Sequence, residues 1–157
     1  MSLMREIRDF SMPLRHVPGQ RGGSSPVPGS SLAIGLLAAA LVFGWQALTV
    51  RFNHHGNWTA LFYTGGLTPV PPALAHENLY RFPGSIGYDG QFYHFMAHDP
   101  FFQRGVDKFV DAARLRYRRI LVPVLAWVLA GGRDRYIDTA LFALTLGAIF
   151  LGAYWSS

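Results

Sequence analysis

The chain has 157 residues, half of them hydrophobic, 15% aromatic and only 15% charged, well below the roughly one quarter charged of an ordinary soluble domain. Its lack of cysteine excludes disulfides, thiolate zinc sites, iron–sulfur ligation and covalent haem attachment. A net charge of +5 is compatible with an anionic membrane surface, a phosphorylated substrate or nucleic acid, so the placement of the charges has to separate them.

Residues 1–30 carry Arg5, Arg8, Arg15 and Arg21 and close on GQRGGSSPVPGS, a composition that buries too little apolar surface to order itself. A disordered cytoplasmic tail is expected there. Residues 31–50 (SLAIGLLAAALVFGWQALTV) hold no charge, and about twenty helical residues cross a hydrocarbon core of about 30 Å. This first span reads as a retained anchor, because its apolar stretch is long for a signal peptide. Residues 51–119 form a long loop expected on the exoplasmic side. Residues 120–132 (ILVPVLAWVLAGG) give a short second span, which Arg114, Arg116, Arg118 and Arg119 would extend by reaching toward headgroups. A cytoplasmic turn over 133–138 leads into a third span at 139–157, with Tyr154 and Trp155 placed as interfacial anchors.

The expected fold is therefore an all-α integral membrane protein with about three transmembrane helices and a long, partly helical exoplasmic loop. A soluble alternative fails on size. A helix apolar on every side needs lipid or a large protein interior, and a chain this short has little interior. Arginine and lysine number four in the tail, eight in residues 51–119 and two in the 133–138 turn. Orientation is counted over segments shorter than about sixty residues, which puts the N-terminus in the cytoplasm.

The long loop carries thirteen aromatic side chains between Trp58 and Tyr117, a density that disordered segments lack. Its first half is turn-rich, with Gly65, Gly66, Pro69, Pro71 and Pro72. Its second half reads as two helices separated at Asp99-Pro100, since the residue before proline is pushed away from the helical region. In the first, over Gly90 to Ala97, Asp89 stands at the N-cap, where a carboxylate accepts backbone N–H groups. The same Asp89, on a glycine-flanked turn beside a membrane, is also able to take a proton from a hydroxyl. His94 and His98 stand four apart on one helix face with Asp99 next to them, a spacing that fits a divalent metal as well as an interfacial pair. No other cofactor is expected.

The second piece, Val106 to Arg119, reads as an amphipathic surface helix. Its arginines, Arg114, Arg116, Arg118 and Arg119, fit headgroup anchoring. They fit equally a clamp on the phosphate of a lipid, since guanidinium forks bind phosphate bidentately. Nucleic acid is set aside because the cluster abuts an apolar segment.

The runs GYDGQFYHFMAHDPF (87–101) and RLRYRRILVPVLAWVLAGG (114–132) resemble the N-terminal part of bacterial polytopic glycosyltransferases of the GT-C type, near the PIG-V-like mannosyltransferase branch. The resemblance implies a bacterial inner-membrane protein that transfers a sugar from a polyprenyl-phosphate donor at the exoplasmic face. It implies Asp89 as the catalytic residue that acts as base or orients the acceptor, Tyr88, Gln91 and Tyr93 as neighbours of the sugar, and Asp99 as a second acid. The four arginines would hold the phosphate leaving group. Full enzymes of this class have more spans, so the chain reads as an N-terminal module, truncated or completed by a partner membrane chain and inactive alone. The rival reading is a non-catalytic membrane subunit, or an inactive fragment.

Overall fold

A computed structural model describes residues 28–157; the tail expected over residues 1–30 lies outside the described residues except for its last three. Five helices follow in order: α1 (Pro28–Asn53), α2 (Asp89–His98), α3 (Ala113–Arg116), α4 (Leu121–Leu129) and α5 (Ile137–Ser156). Short 3-10 turns stand at Trp58–Phe62, Pro72–Leu74, Val106–Phe109, Tyr117–Arg119 and Asp134–Tyr136.

Helices α1 and α5, of 26 and 20 residues, are about 39 Å and 30 Å long at 1.5 Å per residue. Among the described residues they are the two long and apolar enough to cross a membrane. They lie antiparallel. Gly35 near the start of α1 meets Phe150 near the end of α5, while Phe43 stacks on Trp58, which meets Phe142 near the start of α5. A Cβ at Gly35 would come within 2.8–3.0 Å of Phe150, so the bare glycine lets the two backbones approach, as small residues do between membrane helices. Leu36, Leu37, Leu41, Trp45, Leu151 and Trp155 face outward, an apolar surface suited to lipid.

The three expected crossings meet two such helices. The second span expected at 120–132 is instead α4, nine residues and about 13.5 Å long, less than half of a hydrocarbon core. It buries Pro123 and Ala126, with Ala130 buried just after its end, and leaves Leu121, Val128 and Leu129 outward. Gly131 and Gly132, both with positive φ, then turn the chain back so that Ala126 and Ala130 pack on Ile137, Ala140 and Leu141 of α5. The 133–138 segment, expected as a turn on the cytoplasmic side, therefore lies with the loop expected on the other side: Asp134 contacts His98, and Asp138 contacts His94.

Within the loop, strands β1 (Thr64–Gly65) and β2 (Arg81–Phe82) pair in parallel, Thr64 opposite Arg81. Arg81 donates to the carbonyls of Gly66 and Thr68, both at 2.8 Å. A cluster of Leu74, Phe95, Met96, Val106 and Val110 forms the loop's own core, separate from the one that joins Phe62 and Ala97 to α4 and α5. Helix α2 contributes to both. It ends at His98 because Asp99, before Pro100, is held out of the helical region at φ −147°.

Two local expectations change. Tyr88, extended at φ −127°, is the N-cap of α2 and Asp89 is the first helical residue, so Asp89 is not the cap. The continuous helix expected over 106–119 is broken into a 3-10 turn, α3 and a second 3-10 turn. Burying Val106 and Val110 together in the loop core goes with an extended Val110 and a left-handed Ala112 at φ 45°, which no helix accommodates.

Candidate functional site

The first residue of α2 leans on the chain that enters α4. The Asp89 side chain is 73% exposed, and Arg116 Nη2 donates to its Oδ1 at 2.9 Å. Arg116 is itself well held. Its Nε donates to the Asp111 carboxylate, and its guanidinium lies 4.4 Å above the Phe92 ring. The Arg116 hydrogen bond, then the charges of Arg116 and Arg119, hold Asp89 below the usual carboxylate range, while the two aspartates push Arg116 up. At neutral pH the pair is a carboxylate and a guanidinium.

Three spaces meet here. A cavity of about 140 Å³ is lined by Asp89, Tyr93, Leu115, Arg116 and Arg119. Tyr93 and Arg119 also line a cavity of about 440 Å³, walled by Leu61, Phe62, Val122, Leu141 and Phe142 and reaching Gln46 of α1 and Thr145 of α5. Gln46 Oε1 is buried there with no hydrogen-bond partner. On its other side Asp89 borders an open groove of about 580 Å³, with Tyr88, Phe92, Lys108 and Arg116. A charged cavity thus adjoins an apolar cleft between the long helices, and the carboxylate stands between that cavity and the open groove.

The remaining expected site residues divide. Tyr88 is 68% exposed and meets Tyr63 edge-on at 4.8 Å. Gln91 is buried and spent on backbone, accepting from Gly65 N at 3.0 Å and donating to Ile86 O at 2.9 Å. Asp99 is 3% exposed; it accepts from the N–H groups of Gln103 (2.7 Å), Arg104 (2.8 Å) and Val106 (3.3 Å) and so shapes the turn after Pro100. Arg114 and Arg118 are exposed and line none of the three spaces.

A second constellation lies on the opposite face of α2. His94 and His98, four apart on α2, meet Asp138 in the first turn of α5 and Asp134 in the 3-10 turn just before it, in antiparallel pairs: His94 Nε2 is 2.7 Å from Asp138 Oδ1, and His98 Nδ1 is 3.1 Å from Asp134 Oδ1. Since a carboxylate only accepts, each imidazole is the donor. Glu77, from the turn after Leu74, completes the group, with Oε1 3.1 Å from His98 Nε2 and Oε2 3.6 Å from His94 Nε2. Glu77, His94, His98 and Asp138 offer ligand atoms all within 4.8 Å of one another, a set able to hold a metal ion.

Both imidazoles are buried. Phe62 stacks on the His94 ring at 4.1 Å and 8°, and Phe142 stacks on Phe62, which fixes the ring plane. Arg104 secures the rim, donating to Asp134 Oδ1 at 2.8 Å and to the carbonyls of His98 and Ala73. Burial, with Asp138 and Asp134 nearby, pushes Glu77 up to about 8; burial and His94 push His98 down to about 4.

Glu77, Arg104, Asp134 and Asp138 were not legible as site residues in the sequence. The one available signal was the repeated four-residue step, HxxxH on one helix and DxxxD leading into another, which becomes a site only when the helices cross. No family model, curated protein or solved structure matches the chain.

Proposed function

We propose that the chain is the N-terminal module of a membrane glycosyltransferase of the bacterial inner membrane, its N-terminus cytoplasmic and its loop exoplasmic, that holds a polyprenyl-phosphate sugar and transfers the sugar. One observation carries the reading: the charged cavity at Asp89, Arg116 and Arg119 adjoins the apolar cleft between the long helices, with Tyr93 and Arg119 lining both. That sequence of surfaces suits a ligand with a phosphate head and an isoprenoid tail. The head would lie on Arg116 and Arg119, which stabilise a phosphate leaving group by fixed charge. The tail would follow Val122, Leu141 and Phe142.

Asp89 borders both this cavity and the open groove, so an acceptor hydroxyl in the groove would meet an ionised carboxylate on its way to the anomeric carbon. Asp89 takes the hydroxyl proton as the new glycosidic bond forms, and the lipid phosphate leaves with the bonding pair. A second reading, a non-catalytic membrane subunit, draws on the exposed aromatic pair Phe101 and Phe102, which offers a docking surface for a partner chain.

The test has two stages. Polyprenyl phosphate is titrated onto the purified full chain against polyprenol of the same length, with Arg119→Gln alongside. The expected result is a preference of about tenfold or more for the phosphate, the scale of one charge-assisted contact, that Arg119→Gln removes. Sugar transfer is then measured in membranes carrying the complete system. Asp89→Asn is expected to leave lipid binding intact and to lower transfer by at least about 10²-fold. Transfer that survives Asp89→Asn makes the chain a lipid-binding subunit, and an absent phosphate preference removes both steps.

A further inference from the structure

We propose that Glu77, His94, His98 and Asp138 bind one divalent first-row transition-metal ion of the zinc class, clipping the loop to the start of α5. The site does not rest on the glycosyl-transfer reading, although His94 also lines the apolar cleft.

Too few protons face the lone pairs that converge here. His98 Nδ1–H is committed to Asp134, so the Nε2 of that ring is an acceptor. It faces Glu77 Oε1 at 3.1 Å and His94 Nε2 at 3.3 Å. His94 Nε2 in turn faces Asp138 Oδ1 at 2.7 Å and Glu77 Oε2 at 3.6 Å. Even with a proton on Glu77 donated to His98 Nε2, the single His94 Nε2–H faces Asp138 Oδ1 and Glu77 Oε2 together, and Glu77 Oε2 is left buried with no hydrogen-bond partner. Buried acceptors without donors are costly. A single cation at the centre turns the same convergence of lone pairs into ligation.

The spacing fits. Metal–nitrogen and metal–oxygen bonds of about 2.1 Å in a tetrahedron put ligand atoms about 3.4 Å apart; the contacts above run from 2.7 to 3.6 Å, and the four ligand atoms as a set lie within 4.8 Å of one another. Two imidazoles with two carboxylates suit zinc and its neighbours better than magnesium or calcium, which prefer all-oxygen sets. The surroundings fit at His98, whereas His94 Nδ1 is buried with no hydrogen-bond partner. A metal-bound histidine ordinarily gives its other N–H to a carboxylate that sets its tautomer and aim; His98 gives its Nδ1–H to Asp134, which Arg104 holds at 2.8 Å. The ligands come from three segments far apart in the chain, so the ion would close two long loops. Such closure ties metal binding to folding.

The full chain is purified in detergent, stripped with EDTA and titrated with Zn²⁺ against a chromophoric chelator, with thermal unfolding followed in parallel. One Zn²⁺ per chain and a melting temperature that rises with Zn²⁺ are expected. His94→Gln and Glu77→Gln should each weaken binding by tenfold or more. Asp134→Asn, which removes a positioning residue and no ligand, should keep one ion per chain, weaken it by about 10- to 100-fold, and shift the visible absorption of the Co²⁺-loaded chain. Since a variant can fail by misfolding, the wild-type titration decides by itself: substoichiometric binding, or no thermal shift, overturns the site. Equal affinity in the His94→Gln/His98→Gln double variant overturns it too, because the ion would then lie elsewhere. Loss of Zn²⁺ binding with phosphate preference intact strikes this site and spares the lipid reading.

Discussion

Asp89 and Arg116 are 27 residues apart and meet at 2.9 Å on an exposed edge. The folded-state value of Asp89 lies below its ordinary 3.8, so the pair adds stability that is present above 3.8 and lost as pH falls through the lowered value. The contribution is small, as for any exposed ion pair, yet its direction can be measured. Arg116→Gln should return the Asp89 midpoint to the ordinary range, followed by the carboxyl carbon resonance of labelled aspartate. A midpoint that stays low would mean that Arg119 or the α2 dipole holds it. The nearness of Asp89 to the arginines was legible, because both were assigned to the membrane edge of one loop. The role of Asp99 was not. Asp-Pro announces a break in a helix, and nothing in its neighbours shows that three N–H groups of the next turn fold back onto the carboxylate.

Helix α2 owes its seat to a missing side chain. A Cβ at Gly90 would lie 2.9 Å from the Phe62 carbonyl oxygen, a backbone atom that cannot rotate away. Gly90→Ala should push the N-terminal turn of α2 off the Trp58–Phe62 segment and cost about 1–3 kcal/mol, the usual penalty of overpacking, measured as a lower melting temperature of the full chain. An unchanged melt would show that the turn shifts freely. The helix itself was legible between the glycine-rich turn and Asp-Pro. Its neighbour over 106–119 was misread because charge and apolar spacing describe an isolated helix, whereas Val110 is drawn into a core formed with Leu74, Phe95 and Met96. Thirteen uncharged residues likewise read as a span at 120–132, although alanines at 126 and 130 are the small residues that a close helix hairpin needs.

At the scale of the whole molecule, the antiparallel pair α1 and α5 was legible as two long apolar runs, and its topology was not. The loop side extends from residue 54 to residue 136, because Asp134 and Asp138 reach His98 and His94. Single cysteines placed at His76 and at Arg133 in this cysteine-free chain should therefore react with a membrane-impermeant maleimide from the same side, and one at Ser156 from the other. Reaction of Ser156→Cys from the same side as His76→Cys, with Arg133→Cys reacting from the opposite side, would restore a crossing at 120–132.

One ten-residue rod, α2, carries Asp89 at its head and His94 and His98 toward its tail, and is bolted into both hydrophobic clusters by Ala97 on one flank and Phe95 and Met96 on the other. Lesions at the two ends are consequently epistatic. A defect in chemistry at the head after an imidazole is replaced is the ordinary behaviour of a shared stem, and blame can be apportioned between the ends only by a double-mutant cycle that reads both.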